Sequence, residues 1–257
     1  LVGGGIPDQS GNTVILSLQK MNSIIEFSCE NRTITVQAGC ILQHIHELVE
    51  QEGLYFPLSL AAKGSCTIGG NLATNAGGLN VLRYGTMREQ CLGLQIVLSD
   101  GTILNQLTPL RKDNTGYDLK NLFIGSEGTL GIITAACLKL VSKPIARATT
   151  IAVTDKFEHA LELLDSLQHR SGDQVESFEI MPKALLDIVY KQFPDYAQPI
   201  QPASGFILLM EISSSKSDEL EIDDSGKPAL QNLMERFLEN ALENTLITDA
   251  VIATNEA

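Results

Sequence analysis

Residues 64–78 read Gly64-Ser65-Cys66-Thr67-Ile68-Gly69-Gly70-Asn71-Leu72-Ala73-Thr74-Asn75-Ala76-Gly77-Gly78. Two glycine pairs flank small and amide side chains, and the apolar positions follow no clean period. Glycine lets the backbone approach a ligand closely and reach positive φ, so that successive N–H groups converge on an anion. Asn71, Thr74 and Asn75 are suited to meet hydroxyls or phosphate oxygens. A second segment, Gly125-Ser126-Glu127-Gly128-Thr129-Leu130-Gly131-Ile132-Ile133, sets three glycines and one carboxylate just before a strand. Taken singly, each also reads as a tight loop between packed elements. Neither is a G-x-G-x-x-G turn between strand and helix with an acidic residue about 20 positions on, so a nicotinamide site of that kind is unsupported.

Working outward, Val14-Ile15-Leu16-Ser17-Leu18 reads as a buried strand, Ile24–Phe27 as another, and the alternating Thr33–Gln37 as a third. Ile41, Leu42, Ile45, Leu48 and Val49 recur at helical spacing up to Gly53. Leu92–Leu98 and Thr102–Asn105 form a hairpin around Asp100-Gly101. The texture changes near Lys143-Pro144. A strand at 149–154 is followed by a helix with Asp155 and Glu158 as a capping box and Phe157, Ala160, Leu161, Leu164 and Leu167 as its apolar face. Ser177–Met181 is a short strand, and Pro182 starts a helix that buries Leu185, Leu186 and Val189. Phe206–Ile212 is a central strand, Pro228 opens an amphipathic helix, and Ala250–Ala253 closes with a strand. This alternation predicts helices on one face of a second sheet.

The chain has 257 residues, a hydrophobic fraction of 44%, 31 acidic against 18 basic residues and a formal charge of −13. Nucleic acid and anionic lipid are disfavoured partners of so acidic a chain, and no apolar run approaches the roughly 18 residues of a membrane span. An anionic cofactor would therefore be held mostly by backbone amides, and glycine is abundant at 21. Five cysteines without a C-x-x-C indicate neither a disulfide framework nor a zinc site, and fit a reducing compartment. The opening Leu1-Val2-Gly3-Gly4-Gly5 reads like the middle of a loop, so the chain is expected to be a piece of a longer protein.

Pro57-Leu58-Ser59-Leu60, the 64–71 and 73–78 runs, Leu82-Arg83-Tyr84-Gly85, Arg111-Lys112-Asp113-Asn114-Thr115-Gly116-Tyr117-Asp118-Leu119 and Gly125–Thr134 occur in this order. Together they resemble the FAD-binding domain of vanillyl-alcohol-oxidase-type (PCMH) flavoproteins, in the branch of FAD-linked D-2-hydroxyacid dehydrogenases. The Arg111–Leu119 run and Leu246-Ile247-Thr248-Asp249 are most similar to the D-2-hydroxyglutarate subgroup. The resemblance implies an α+β fold: residues 1–145 as an FAD-binding domain lacking its start, then residues 146–257 as part of an α+β, ferredoxin-like substrate or cap domain. It implies an FAD-dependent oxidoreductase that takes a hydride from a D-2-hydroxy acid and leaves a 2-oxo acid. Electrons would pass to a quinone, an electron-transfer flavoprotein or a cytochrome. A homodimer, and a cytoplasmic or mitochondrial-matrix location, accompany that reading.

Position by position, the resemblance places Gly4 and Gly5 by the diphosphate and Pro57, Leu58 and Ser59 along the flavin. Gly64, Ser65, Cys66, Thr67, Gly69 and Gly70 would wrap ribityl and phosphates, and Asn75 and Gly77 would continue that wall. Glu127, Gly131, Ile132 and Ile133 would meet the adenine half or the ring edge. A bare packing role is the alternative for Cys66, a structural cap for Glu127, a packed ring for Tyr117 and a surface salt bridge for Arg83 and Lys112. The family's catalytic and metal residues, with zinc as the expected divalent ion, belong to a His-rich C-terminal half that this chain stops short of. His44, His46, His159 and His169 lack ligand spacing and read as solvated or capping, so no catalytic residue is named. Two rivals remain: a flavin oxidase of alcohols or sugars on the same domain, and a catalytically inactive structural fragment.

Overall fold

A computed structural model describes residues 6–195, 198–200, 204–220, 222 and 227–253. The chain divides into two compact units, Leu1–Lys143 and Pro144–Ala257.

In the first unit β1 (Ile24–Ser28), β2 (Thr33–Gln37), α1 (Leu42–Glu50) and β3 (Leu54–Tyr55) precede a run of short helices, α2 (Ile68–Ala73), α3 (Val81–Tyr84) and α4 (Met87–Gln90). β4 (Cys91–Val97), β5 (Ile103–Gln106), α5 (Lys120–Phe123), β6 (Ile132–Lys139) and β7 (Val141–Ser142) complete it. Five strands form one antiparallel sheet in the order β1-β2-β6-β4-β5. The β4–β5 hairpin turns on Gly101 at φ +86°. α1 buries Leu42, Ile45 and Val49, the stripe its sequence period requires. Those side chains join Ile34, Phe56, Leu58, Ile68, Leu72, Leu94 and Leu138 in one core.

The second unit runs β8 (Ala146–Thr154), α6 (Phe157–Ser171), β9 (Val175–Pro182), α7 (Lys183–Gln192), β10 (Phe206–Ser214), α8 (Ala229–Glu243) and β11 (Asp249–Ile252). Its sheet has the order β11-β8-β10-β9, all antiparallel. Fourth, first, third, second is the ferredoxin-like arrangement, here with α7 added between the second and third strands. Ala148, Ala152, Leu208, Met210 and Ile212 face α6 and α8, which contribute Leu163, Leu167, Met234 and Phe237.

Four expectations fail locally. Val14, Ile15 and Leu16 are 91%, 64% and 66% exposed and pair with no described strand; β-branched composition does not make a strand without a partner. No Asp155 capping box forms, because α6 is entered through Lys156 without a side-chain cap. α6 turns Ala160, Leu163 and Leu167 inward and leaves Phe157 and Leu161 exposed, a stripe rotated from the expected one. α7 has no buried residue, so Leu185, Leu186 and Val189 are not core.

Candidate functional site

The site is organised by α2. At its start the chain is pinned to the sheet: the Ile68 amide donates to the Cys40 carbonyl at 2.9 Å and the Gly69 amide to that of Ala38 at 2.7 Å. A Cβ on Gly69 would stand 2.7 Å from the Ala38 Cβ, so this glycine is fixed by packing. The Thr67 hydroxyl accepts from the Gly70 amide at 3.4 Å. At the end of α2 the Leu72 and Ala73 carbonyls accept from the amides of Gly125 (3.0 Å) and Glu127 (2.9 Å). The second glycine segment is thereby tied directly onto the first. The helix is six residues long, so the two bends at its ends are separated by about 9 Å of rise.

Two non-glycine residues at this junction are left-handed, Asn75 at φ +48° and Glu127 at φ +52°. Asparagine tolerates that region; glutamate pays for it with strain, which persists only where its surroundings impose it. The Asn75 Oδ1 accepts from the Arg88 amide at 3.0 Å. The Arg88 guanidinium donates to the Asn121 carbonyl (2.7 Å), the Asn121 Oδ1 (3.1 Å) and the Ile124 carbonyl (2.6 Å). It therefore locks the approach to Gly125. Gly78, at φ +77°, lies where a Cβ would be 2.1 Å from the Ser59 carbonyl oxygen. The Leu79 amide donates to the same oxygen at 3.1 Å, which brings Pro57–Ser59 to the far side of the loop.

Of the residues singled out from the sequence, Gly4 and Gly5 lie outside the described residues. Pro57 and Leu58 are buried and Ser59 half-buried. Gly64, Ser65 and Gly70 are exposed, and Cys66 and Thr67 half-buried, with the Asn71 amide nitrogen donating to the Cys66 sulfur at 3.5 Å. Gly77 is half-buried. Glu127 is exposed, and Gly131 fits only as glycine because a Cβ would stand 2.7 Å from Ile96 Cγ2. Ile132 is half-buried, whereas Ile133 lies in the core. The amides are unequally available. Those of Gly69, Gly125 and Glu127 are occupied, whereas those of Gly64, Thr67, Gly77 and Gly128 meet no protein acceptor among the described residues. Open amides beside small side chains, with few cations at hand, fit a phosphate-bearing nucleotide rich in hydroxyls.

Reading the sequence missed Arg88, although Thr86-Met87-Arg88-Glu89 is a capping-box pattern. The Glu89 carboxylate accepts from the Thr86 amide at 2.7 Å and hydroxyl at 2.6 Å, which hold it below the usual carboxylate range. His46 corrects the solvated reading: it is half-buried, 6.0 and 6.4 Å from the ring centres of Tyr55 and Phe56, and burial lowers its pKa. Tyr117 is 89% exposed rather than packed, and Arg83 stacks over Tyr84 at 5.2 Å. Among the described residues no three His, Cys, Asp or Glu groups are placed to hold a metal ion, and no helix is long and apolar enough to cross a membrane. Two depressions of about 390 and 480 Å³ lie by β4, on its β5 side and beside Lys139, and none of the expected nucleotide-binding residues lines either.

Residues 2–106 match the model of a family described as an FAD binding domain. Mitochondrial D-2-hydroxyglutarate dehydrogenases of Bos taurus and Rattus norvegicus are 40% and 41% identical over 256 residues, 100% of this chain but 44% and 45% of theirs. The chain thus spans less than half the length of these curated relatives. Among solved structures, an alkyldihydroxyacetonephosphate synthase superposes with a TM-score of 0.70 at 20% identity, over 95% of this chain and 45% of its own. A substrate-bound p-cresol methylhydroxylase gives 0.64 at 16% identity, over 93% and 48%. The fold is shared with both.

Proposed function

We propose that this chain, whose residues 2–106 match the model of an FAD binding domain, is the nucleotide-holding part of an FAD-dependent dehydrogenase that converts a D-2-hydroxy acid to the 2-oxo acid. The observation that carries the reading is the joining of both glycine segments through α2: Gly125 and Glu127 bonded to the Leu72 and Ala73 carbonyls. Identity near 40% across the whole chain with D-2-hydroxyglutarate dehydrogenases supports a hydroxy acid over the substrates of the more distant fold relatives.

In this reading the open amides of Gly64, Thr67, Gly77 and Gly128 donate to phosphate and ribityl oxygens, and the half-buried Ser59, Cys66 and Thr67 line the same wall. Ile132 covers one edge. Arg88 keeps the Gly125 loop in register without itself meeting the ligand, since its guanidinium is occupied by carbonyls. FAD, when bound, supplies the two-electron chemistry, with the electrons leaving to a quinone, an electron-transfer flavoprotein or a cytochrome. Residues 1–145 are the FAD-binding domain and residues 146–257 part of the substrate domain. No residue of this chain is assigned the proton transfer.

Two assays test the reading. FAD titrated into the chain should lose fluorescence on binding, and the protein expressed to the full length of its gene should reduce a dye with D-2-hydroxyglutarate or D-lactate. Dye reduction by a primary alcohol or a sugar, and by neither hydroxy acid, would favour the rival oxidase reading. A chain that leaves FAD fluorescence unchanged at any concentration would remove the nucleotide site itself.

A further inference from the structure

We propose that the depression of about 480 Å³ beside β4 and the end of β6 is a second ligand site, specific for a doubly charged oxyanion, with Lys139 and Arg111 as its ligands. Four cations line it, Arg88, Arg111, Lys120 and Lys139, in a chain with only 18 basic residues. Two of them are already matched. Arg88 is held by carbonyls, and the Lys120 ammonium donates to Asp118 at 2.6 Å. The acidic residues of the depression are likewise engaged: Asp118 also accepts from the Asn121 side chain at 2.9 Å, Asp113 from the Thr115 amide at 3.0 Å, and Glu89 from Thr86.

Lys139 and Arg111 are the exceptions. Arg111 donates to the carbonyl of Leu140, the residue after Lys139, at 3.3 Å, which seats the two cations side by side. Among the described residues neither makes an ion pair. The Lys139 ammonium is half-buried, and that burial, with the Arg111 charge beside it, lowers its pKa. Glu89 offsets the Lys139 charge in part, but the cavity holds four cations against three carboxylates, and an anion that Lys139 and Arg111 can both bond relieves that excess. Arg88 and Asn121, which hold the Gly125 loop, form one rim of the depression, whereas Lys139 stands apart from the nucleotide wall. Lys139 lies seven residues along β6 from Ile132, about 23 Å at the usual strand rise.

Phosphate and malonate are the probes, each titrated calorimetrically into the chain at constant ionic strength, with and without saturating FAD. At least one should bind, the better one distinguishing a phosphate-bearing from a dicarboxylate ligand. K139Q and R111Q should each weaken it on the order of tenfold, the worth of one charge-assisted contact. Saturating FAD should leave the affinity unchanged. Arg111 is exposed, so R111Q keeps the test open if K139Q does not fold. The proposal is overturned if neither probe binds, if R111Q binds as tightly as the parent, or if FAD displaces the probe. Neither the failure of both probes nor an unaffected R111Q bears on whether FAD itself binds.

Discussion

The two units use the same materials differently. In the second, β10 pairs with β8 over nine consecutive residues without a break in register, and only Gly172, Gly205 and Gly226 occur in the whole unit. In the first, β4 and β6 slip register twice, between Cys91 and Gly93 and between Gln95 and Ile96. That unit also carries three helices of four residues and the strained Asn75 and Glu127. Regular pairing satisfies the amides between neighbouring strands, whereas short elements joined by glycine leave further amides without a partner. On the proposed reading the irregular unit is the one that holds the ligand, at the expense of regular structure.

The most severe test of this contrast is a matched pair of glycine variants. A Cβ on Gly78 would meet the Ser59 carbonyl at 2.1 Å and one on Gly205 the Thr154 carbonyl at 2.4 Å, both at positive φ. Each alanine variant is expected to cost about 3 kcal/mol or more in chemical denaturation. G205A should retain FAD binding in the folded fraction and G78A should lose it; equal retention would erase the contrast. Next come the core leucines, both fully buried. L208A beneath the second sheet and L72A in α2 should each cost about 2–5 kcal/mol, with a fall in FAD affinity only for L72A.

R88A removes the guanidinium from three acceptors, and a loss of about 1.5–3 kcal/mol is expected. Faster exchange of the Gly125 amide should accompany it, and a Gly125 amide protected as before would deny Arg88 its locking role. E89A should cost about 1 kcal/mol at neutral pH, as loss of a helix cap does. Because the folded pKa of Glu89 is depressed, its contribution is present above the ordinary glutamate value. It is lost as pH falls through the folded value, so parent and variant curves should merge in acid. A penalty that does not shrink as the pH falls would contradict the assignment. The smallest effect on stability is expected for G70A, since alanine gains about 1 kcal/mol over glycine inside a helix against one contact at 3.3 Å with the Thr67 hydroxyl. Its melting temperature should hold or rise while FAD binding weakens, which separates a ligand-facing glycine from a packing one.

Much of the second unit was legible because period and burial coincide there: Phe206–Ile212 and the Pro228 helix stand where the pattern places them. The α6 stripe was misjudged because Leu161 and Leu163 are equally apolar, and only the partner sheet decides which turns inward. In the first unit the glycine motifs located the loops but not their bonding. Nothing in Gly69-Gly70 distinguishes the amide held by Ala38 from its exposed neighbour, because the acceptor lies some thirty positions earlier in the chain. Arg88, Arg111 and Lys139 were illegible for a similar reason. Arg88 and Lys139 are isolated cations in sequence and Arg111 stands beside Lys112, and their shared cavity arises only once β4, β6 and the 108–120 loop meet.

The central claim is that main-chain N–H groups rather than cations hold the nucleotide. Hydrogen–deuterium exchange resolved to single amides, with and without FAD, addresses it most directly. Gly64, Thr67, Gly77 and Gly128 should exchange markedly more slowly with FAD present, while Gly69, already bonded to Ala38, should change little. Unaltered exchange at all four open amides in a chain that demonstrably binds FAD would contradict the account.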